Sequence, residues 1–210
     1  MKKITIALLC MIMATGAAMA QKQFTFGPKI GVDYTHNWGK DVDHGGLINY
    51  QAGLFMEYRL TDKFAIAPEV VFAAQGGKND FLYVEYTGTT LTESFDAVYT
   101  DNRNYINVPV MLKYYVAPAL SIDFGPQLGI NVYHKCTIKG KGDHKDFGYK
   151  YDTDAKKIDF GVGLGLTYNI TNDVFVQGRY TLGLTKVFNE DEWERNDKNG
   201  NAQIAIGYRF

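Results

Sequence analysis

The sequence predicts an all-β protein: an eight-stranded antiparallel up-and-down transmembrane β-barrel with short periplasmic turns and long extracellular loops. Three observations carry this expectation. Eight segments alternate apolar and polar residues with a period of two, the period of a strand. The connections between them alternate strictly between short and long, as in an even-stranded barrel that crosses a bilayer. Glycine and charge collect on one face of the segments and leave the other face apolar. The composition agrees, since 15 Tyr and 13 Phe stand against 5 Pro in 210 residues, which favours sheet over helix.

Residues 1–20 have the layout of a secretory signal peptide: Lys2 and Lys3, the short apolar core "ITIALLCMIM", and the small-residue site Ala18-Met19-Ala20. The core is too short for a spanning helix. Residues 21–210 then form one domain, the barrel, of a size suited to a single domain. Removing Lys2 and Lys3 leaves 20 basic against 23 acidic residues, so nothing points to nucleic acid, which needs a basic surface. Cys10 lies in the signal peptide and Cys136 stands alone after cleavage, so no intrachain disulfide forms. Among its polar neighbours Cys136 reads as incidental.

In chain order, the first segment runs from Phe24 to Tyr34, with Phe24, Phe26, Ile30 and Val32 opposite Thr25, Gly27, Lys29 and Asp33. The second, from Ile48 to Leu60, sets Tyr50, Leu54, Met56 and Tyr58 against Gln51, Gly53, Glu57 and Arg59. The third spans Phe64 to Gln75, with Glu69 on an otherwise weakly polar face, and the fourth spans Ile106 to Val116, with Lys113 on its polar face. The fifth, Leu120 to Val132, opposes Ile122, Phe124 and Ile130 to Ser121, Asp123 and Gln127. The sixth, "KIDFGVGLGLTYNI", opposes Phe160, Val162, Leu164 and Leu166 to Asp159, Gly161, Gly163, Gly165 and Thr167. The seventh, Asp173 to Val187, carries Gln177 and Arg179, and the last, Ala202 to Phe210, carries Gln203 and Arg209. About ten residues is the length a tilted strand needs to cross a bilayer. The tight connections are "TD" after Leu60, "AP" after Val116 and "TND" after Ile170; the long ones cover roughly residues 35–47, 76–104, 133–156 and 188–201.

The apolar face is expected to meet lipid, rather than a core as in a soluble lipocalin-type barrel. Of eleven glycines in the eight segments, ten lie on the polar face and only Gly178 lies opposite. Glycine weakens a solvated strand, but inside a narrow barrel it makes room for long side chains. The polar face also balances Asp33, Glu57, Glu69, Asp123 and Asp159 against Lys29, Arg59, Lys113, Arg179 and Arg209. These ten are expected to form a lumenal charge network that plugs the barrel, because unpaired buried charge is expensive. Tyr50, Tyr58, Phe64, Tyr114, Tyr168, Tyr208 and Phe210 sit near the ends of the apolar face, where interfacial aromatic girdles belong.

The stretches "FGPKIGVDYTHNWG", "YQAGLFMEYRLTDKFAIAPEVVFAAQGGK", "NYINVPVMLKYYV", "DFGPQLGINV" and "AIGYRF" resemble the PorT-like family of outer-membrane β-barrel proteins, common in Bacteroidetes. The resemblance covers residues 21–210 and implies a fold and a compartment more firmly than an activity. One namesake takes part in a secretion and gliding apparatus, and the family has no catalytic motif to carry over. Phe210, with Tyr208 two before it, resembles the end signal read by the barrel-assembly machinery.

Specific function is expected in the loops. "DFLYVEYTGTTLTESFDAVY", residues 80–99, reads as a hairpin that continues the wall beyond the membrane. The 133–156 connection carries Lys135, Lys139, Lys141, Lys145 and Lys150, and the 188–201 connection carries Glu190, Asp191, Glu192 and Glu194. These read first as solvated charge runs, with pairing between the two loops, or lysine contacts to lipid phosphates or an acidic partner, as the alternatives. Carboxylates and imidazole adjoin at Asp41-Val42-Asp43-His44 and Asp143-His144-Lys145-Asp146, yet neither spacing matches a zinc or calcium site. His36 and His134 also fall in connections, and serine is nearly absent. No cofactor, metal or catalytic residue is expected. The expectation is an integral outer-membrane protein with a filled polar lumen, acting as a non-enzymatic envelope structural or interaction protein. Its partners would be outer-membrane lipid, the barrel-assembly machinery and a protein met through the extracellular loops or the periplasmic rim. The alternatives are a component of a PorT-like secretion or transport assembly and a small-barrel enzyme. In "FGVGLGLTY" a dinucleotide fingerprint fails at its last glycine, and Asn172-Asp173 turns into another strand instead of a helix.

Overall fold

The computed structural model of the chain describes residues 23–39, 45–87, 90–151, 155–187 and 197–210. The segment expected to be a signal peptide lies outside these. Among the described residues nine strands follow one another: β1 (Phe24–Trp38), β2 (Leu47–Arg59), β3 (Phe64–Thr87), β4 (Thr90–Ala117), β5 (Leu120–Gly140), β6 (Gly148–Tyr151), β7 (Ile158–Asn169), β8 (Val174–Lys186) and β9 (Lys198–Tyr208). Eight close a ring in the order β1-β2-β3-β4-β5-β7-β8-β9, sealed by the antiparallel pairing of β9 with β1. The short β6 adds to the far end of β5. Every pairing is antiparallel, so the chain is an up-and-down barrel with no free edge around its girth.

The tight turns have a local chemical cause. Thr61 Oγ1 accepts the backbone N–H of Phe64 at 3.0 Å, and Thr171 Oγ1 accepts that of Val174 at 3.0 Å. A threonine bonding its own backbone in this way competes with strand continuation and fixes a turn. The chain terminus closes on this same end, where the Phe210 N–H donates to the Phe26 carbonyl at 2.8 Å.

Burial sorts the faces as the alternation requires. Ile30, Leu54, Leu164 and Ile204 are 60% or more exposed on the outside, whereas Lys29, Asp33, Asp123 and Arg103 are at most 1% exposed inside. This is the inverse of a soluble ligand-binding barrel. Tyr58, Phe64, Tyr114, Tyr168 and Tyr208 ring the turn end of the outer surface, each well exposed. Tyr34 and Tyr50 lie toward the other end, where Val32 pairs with Tyr50 and Tyr34 with Ala202.

Two facing glycines show why the inner face needs them. Gly125 on β5 pairs with Gly163 on β7. A Cβ on Gly125 would come within 2.1 Å of the Val110 carbonyl oxygen, so the close approach of β4 there depends on it. A Cβ on Gly163 meets only side chains, Met111 at 3.3 Å and Arg179 at 3.4 Å, so this glycine leaves lumen volume that a large residue would overfill. Gly163→Trp is therefore expected to lower barrel stability by about 1–3 kcal/mol through overpacking. Gly178→Trp, with nothing within 4 Å of an added Cβ on the outer face, should fold normally. The fraction of heat-modifiable band after refolding compares the two.

The strands outrun the sequence expectation. The apolar outer band ends at Phe72 on β3, Ile106 on β4 and Val132 on β5, close to the expected segment ends, yet these strands continue. β3 pairs with β4 from Phe64↔Tyr114 to Thr87↔Thr90, and β4 pairs with β5 up to Ala97↔Gly140. The stretches expected as connections 76–104 and 133–156 are thus largely sheet. Just beyond the band the outer face turns polar at Lys78, Asp80, Asn102 and Thr100. Farther out apolar residues stand on both faces, Leu82 and Tyr86 exposed outside and Phe95, Ala97 and Ile138 clustered inside, so the alternation that marked the membrane segments fades while the hydrogen-bond ladder persists. The expected hairpin over residues 80–99 is present.

Candidate functional site

The inner face builds three polar layers. In the middle layer Glu69 of β3 accepts Lys29 Nζ of β1 at 2.6 Å and both terminal nitrogens of Arg179 of β8 at 2.6 and 3.1 Å. The fork-to-fork geometry of Arg179 and Glu69 is the strongest carboxylate pairing a side chain offers. Lys29 also donates to Gln177 at 2.9 Å, and Gln177 donates to Asp123 at 3.1 Å. Ser121 at 2.7 Å and Thr167 at 2.5 Å complete the donors to Asp123. One continuous network thus crosses the lumen from β3 to β5.

Nearer the turn end, Glu57 gathers Lys113 at 3.0 Å, Tyr115 at 2.5 Å, and Arg59 and Arg209 each at 3.6 Å. The Arg59 guanidinium lies 4.1 Å above the Tyr115 ring, and that of Arg209 lies 4.7 Å above the Phe175 ring. Below this layer a cavity of about 630 Å³ opens between Thr25, Glu57, Arg59, Asn169 and Arg209. Asp33 is held by Gln51 at 2.9 Å, and Gln51 in turn bonds Gln203 at 2.8 Å. Asp159 accepts Thr185 and Asn199, the latter at 2.7 Å. Lys29, Glu57, Arg59, Glu69, Lys113, Arg179 and Arg209 are therefore brought into ion pairs, while Asp33, Asp123 and Asp159 are held by neutral donors.

A third layer was not expected from the sequence. Arg103 of β4, fully buried, sits 3.1 Å from Asp101 and donates to Asn37 of β1 at 2.5 Å. Asp101 meets His134 of β5 at 2.9 Å, and Tyr99 meets Cys136 at 3.0 Å. Burial alone would push the Asp101 carboxyl up, but Arg103 and His134 beside it hold it below the usual carboxylate range. Burial, reinforced by the Asp101 charge, raises the Tyr99 phenol. These residues fell in stretches read as connections. The missed signal was the 80–99 hairpin itself: if β4 continues past the membrane, its second edge needs a partner, and the next strand supplies it.

Of the lysines in the 133–156 connection, Lys141 finds its partner on another strand. Lys141 pairs with Asp80 of β3 at 2.7 Å. Glu190, Asp191, Glu192 and Glu194 lie outside the described residues, as do Asp41, Asp43 and His44. In the second carboxylate–histidine stretch, His144 stacks on Phe95 with ring centroids 4.3 Å apart and faces Glu93 at 3.3 Å. At the terminus Phe210 packs its ring 5.7 Å from Phe26 and 5.0 Å from Tyr208.

Comparison with known proteins adds the family. Residues 19–189 match the profile of the outer membrane protein beta-barrel domain. No curated protein matches the sequence. Among solved structures, Ail, the attachment invasion locus protein of Yersinia pestis, is 12% identical over 90% of this chain and 99% of its own, with a TM-score of 0.48. Neisserial surface protein A is 14% identical over 89% of this chain and 97% of its own, at 0.47. CarO of Acinetobacter baumannii is 10% identical over 87% and 97%, at 0.43. With a family profile spanning most of its length and an apolar band on its outer wall, the chain belongs to the outer membrane protein beta-barrel domain family and resides in the outer membrane.

Proposed function

We propose that this protein is a non-enzymatic envelope interaction protein whose closed barrel serves as a rigid stalk. Its working surface is the sheet formed by the extensions of β3, β4 and β5 with β6. The observation that carries this reading is the continuous pairing of β3 and β4 from the turn end to Thr87↔Thr90, well beyond the apolar band. Ladder bonds hold that sheet, and it carries exposed Leu82, Tyr86, Tyr149 and Tyr151, a mixture of apolar and polar surface suited to a protein partner. The lumenal layers of Glu69, Asp123 and Glu57 fill the narrow barrel with bonded side chains, so the stalk does not conduct. The ten charged residues act as structural ties across the lumen, while Tyr208 and Phe210 act as the signal for the barrel-assembly machinery.

Two measurements test this. Planar-bilayer recording of the refolded protein should show no steady conductance; a stable open step at modest voltage overturns the closed stalk. Replacing residues 79–99 by Asn-Gly, which leaves Lys78 and Thr100 as the flanking pair, should keep the barrel folded and abolish cross-linking to its partner in native membranes. An undiminished cross-link overturns the platform.

A second reading, membership in a PorT-like secretion or transport assembly of the Bacteroidetes type, is favoured by the stretches "YINVPVMLKYY" and "GPQLG" and by the polar cavity at the periplasmic rim. In that case the cross-link maps to Arg59, Asn169 and their neighbours and survives removal of residues 79–99.

A further inference from the structure

We propose that Asp101, His134 and Cys136 form a zinc-binding site that ties β4 to β5 in the extramembrane sheet. The three come together only through strand pairing. Asp101 lies directly across from Cys136 and Arg103 across from His134, and a register shift between Asn104 and Tyr105 turns His134 and Cys136 inward together. Their donor atoms converge: His134 Nε2 is 2.9 Å from Asp101 Oδ1 and 3.5 Å from Cys136 Sγ, and all three atoms lie within 4.8 Å of one another. Tetrahedral zinc, with sulfur at about 2.3 Å and nitrogen or oxygen at about 2.1 Å, separates sulfur from nitrogen by roughly 3.6 Å and nitrogen from oxygen by roughly 3.4 Å. The first separation is already met. The second opens by about half an ångström when the metal replaces the shared proton.

The surroundings fit a metal centre better than a catalytic one. A Cys–His–Asp relay needs the acid and the nucleophile on opposite imidazole nitrogens, whereas here both meet Nε2. Cys136 and Asp101 are also at most 1% exposed, leaving no room for a substrate. Thiolate and imidazole select zinc over magnesium or calcium. Thiolate and carboxylate together neutralise the dication; on binding, the thiol proton passes to solvent and the Nε2 proton moves to Nδ1, which leaves His134 a neutral imidazole ligand. Outer partners are in place: Tyr99 Oη, 3.0 Å from Cys136 Sγ, can donate to the thiolate, and Arg103 lies 3.1 Å from Asp101 Oδ2 and orients the carboxylate. The fourth coordination position is left to water.

The test uses the untagged, refolded full chain in detergent, stripped with chelator under reducing conditions and titrated with zinc chloride against a chromophoric chelator. One zinc per chain is expected. Cys136→Ser and His134→Gln should each weaken binding at least about 100-fold, the upper end of what loss of an outer-shell partner alone does, while both retain the heat-modifiable band. Cobalt should give the wild type a thiolate-to-metal charge-transfer band that Cys136→Ser lacks. Absence of stoichiometric zinc in the folded wild type overturns the proposal, as does unchanged affinity in Cys136→Ser. If either variant does not fold, the wild-type cobalt spectrum decides: bound cobalt without a thiolate band overturns it as well.

Discussion

Glu69→Ala is expected to destabilise the barrel by about 3–5 kcal/mol, the range for removing one partner of a buried ion pair. The change leaves Lys29 and Arg179 facing each other at a site where each is almost fully buried. Two like charges in a lumen sealed above and below have neither water nor a carboxylate to stabilise them. The penalty belongs to the uncompensated charge rather than to the lost bonds. Replacing all three residues by apolar ones of similar size, Glu69→Leu with Lys29→Met and Arg179→Met, should therefore recover most of the loss. Urea unfolding of the refolded protein, followed by the heat-modifiable band, measures both. A Glu69→Ala barrel as stable as the wild type would mean that the central layer is hydrated and the lumen open.

Leu164→Arg should cost about 2–4 kcal/mol, the depth-dependent price of a cation at the bilayer midplane. Leu164 is 60% exposed on the outer wall, opposite Phe124 on β5 and Tyr180 on β8. Thr100→Arg, on the same outer wall but beyond the apolar band, should change stability by less than about 1 kcal/mol. Comparing unfolding midpoints in lipid vesicles isolates the effect of depth. Equal effects at the two positions would contradict the placement of the band.

Much of this architecture was legible in the sequence because lipid enforces a period of two. Ile30, Leu54, Leu164 and Ile204 must face out, so Lys29, Gly53, Gly163 and Gln203 face in, and the membrane segments can be delimited almost to the residue. Two things escaped. Strand length escaped because Lys78, Asp80, Asn102 and Thr100 interrupt the outer wall where water, not lipid, is the neighbour. Beyond them apolar residues fall on both faces, Leu82 and Val84 outside and Phe95 and Ile138 inside, so no alternation marks the continuing ladder. The partners of individual charges escaped because pairing across a lumen depends on stagger. Lys29 meets Glu69 across forty positions of sequence and Arg179 reaches it across 110, distances no local pattern encodes. The same holds for His134 and Cys136: they looked like loop residues until the β4–β5 ladder set Asp101 across from Cys136.

One continuous β4 strand passes from a lipid-covered wall into an exposed extramembrane sheet. Single cysteines on its outer face, introduced in a Cys136→Ser background and probed on intact cells with a membrane-impermeant maleimide, report where the strand leaves the lipid. Labelling should be rapid at Ser94 and Asp96 and absent at Val110 and Leu112. Equal labelling at all four positions would mean a water-soluble barrel, and protection at Ser94 and Asp96 would mean that the sheet beyond the band does not stand outside the membrane.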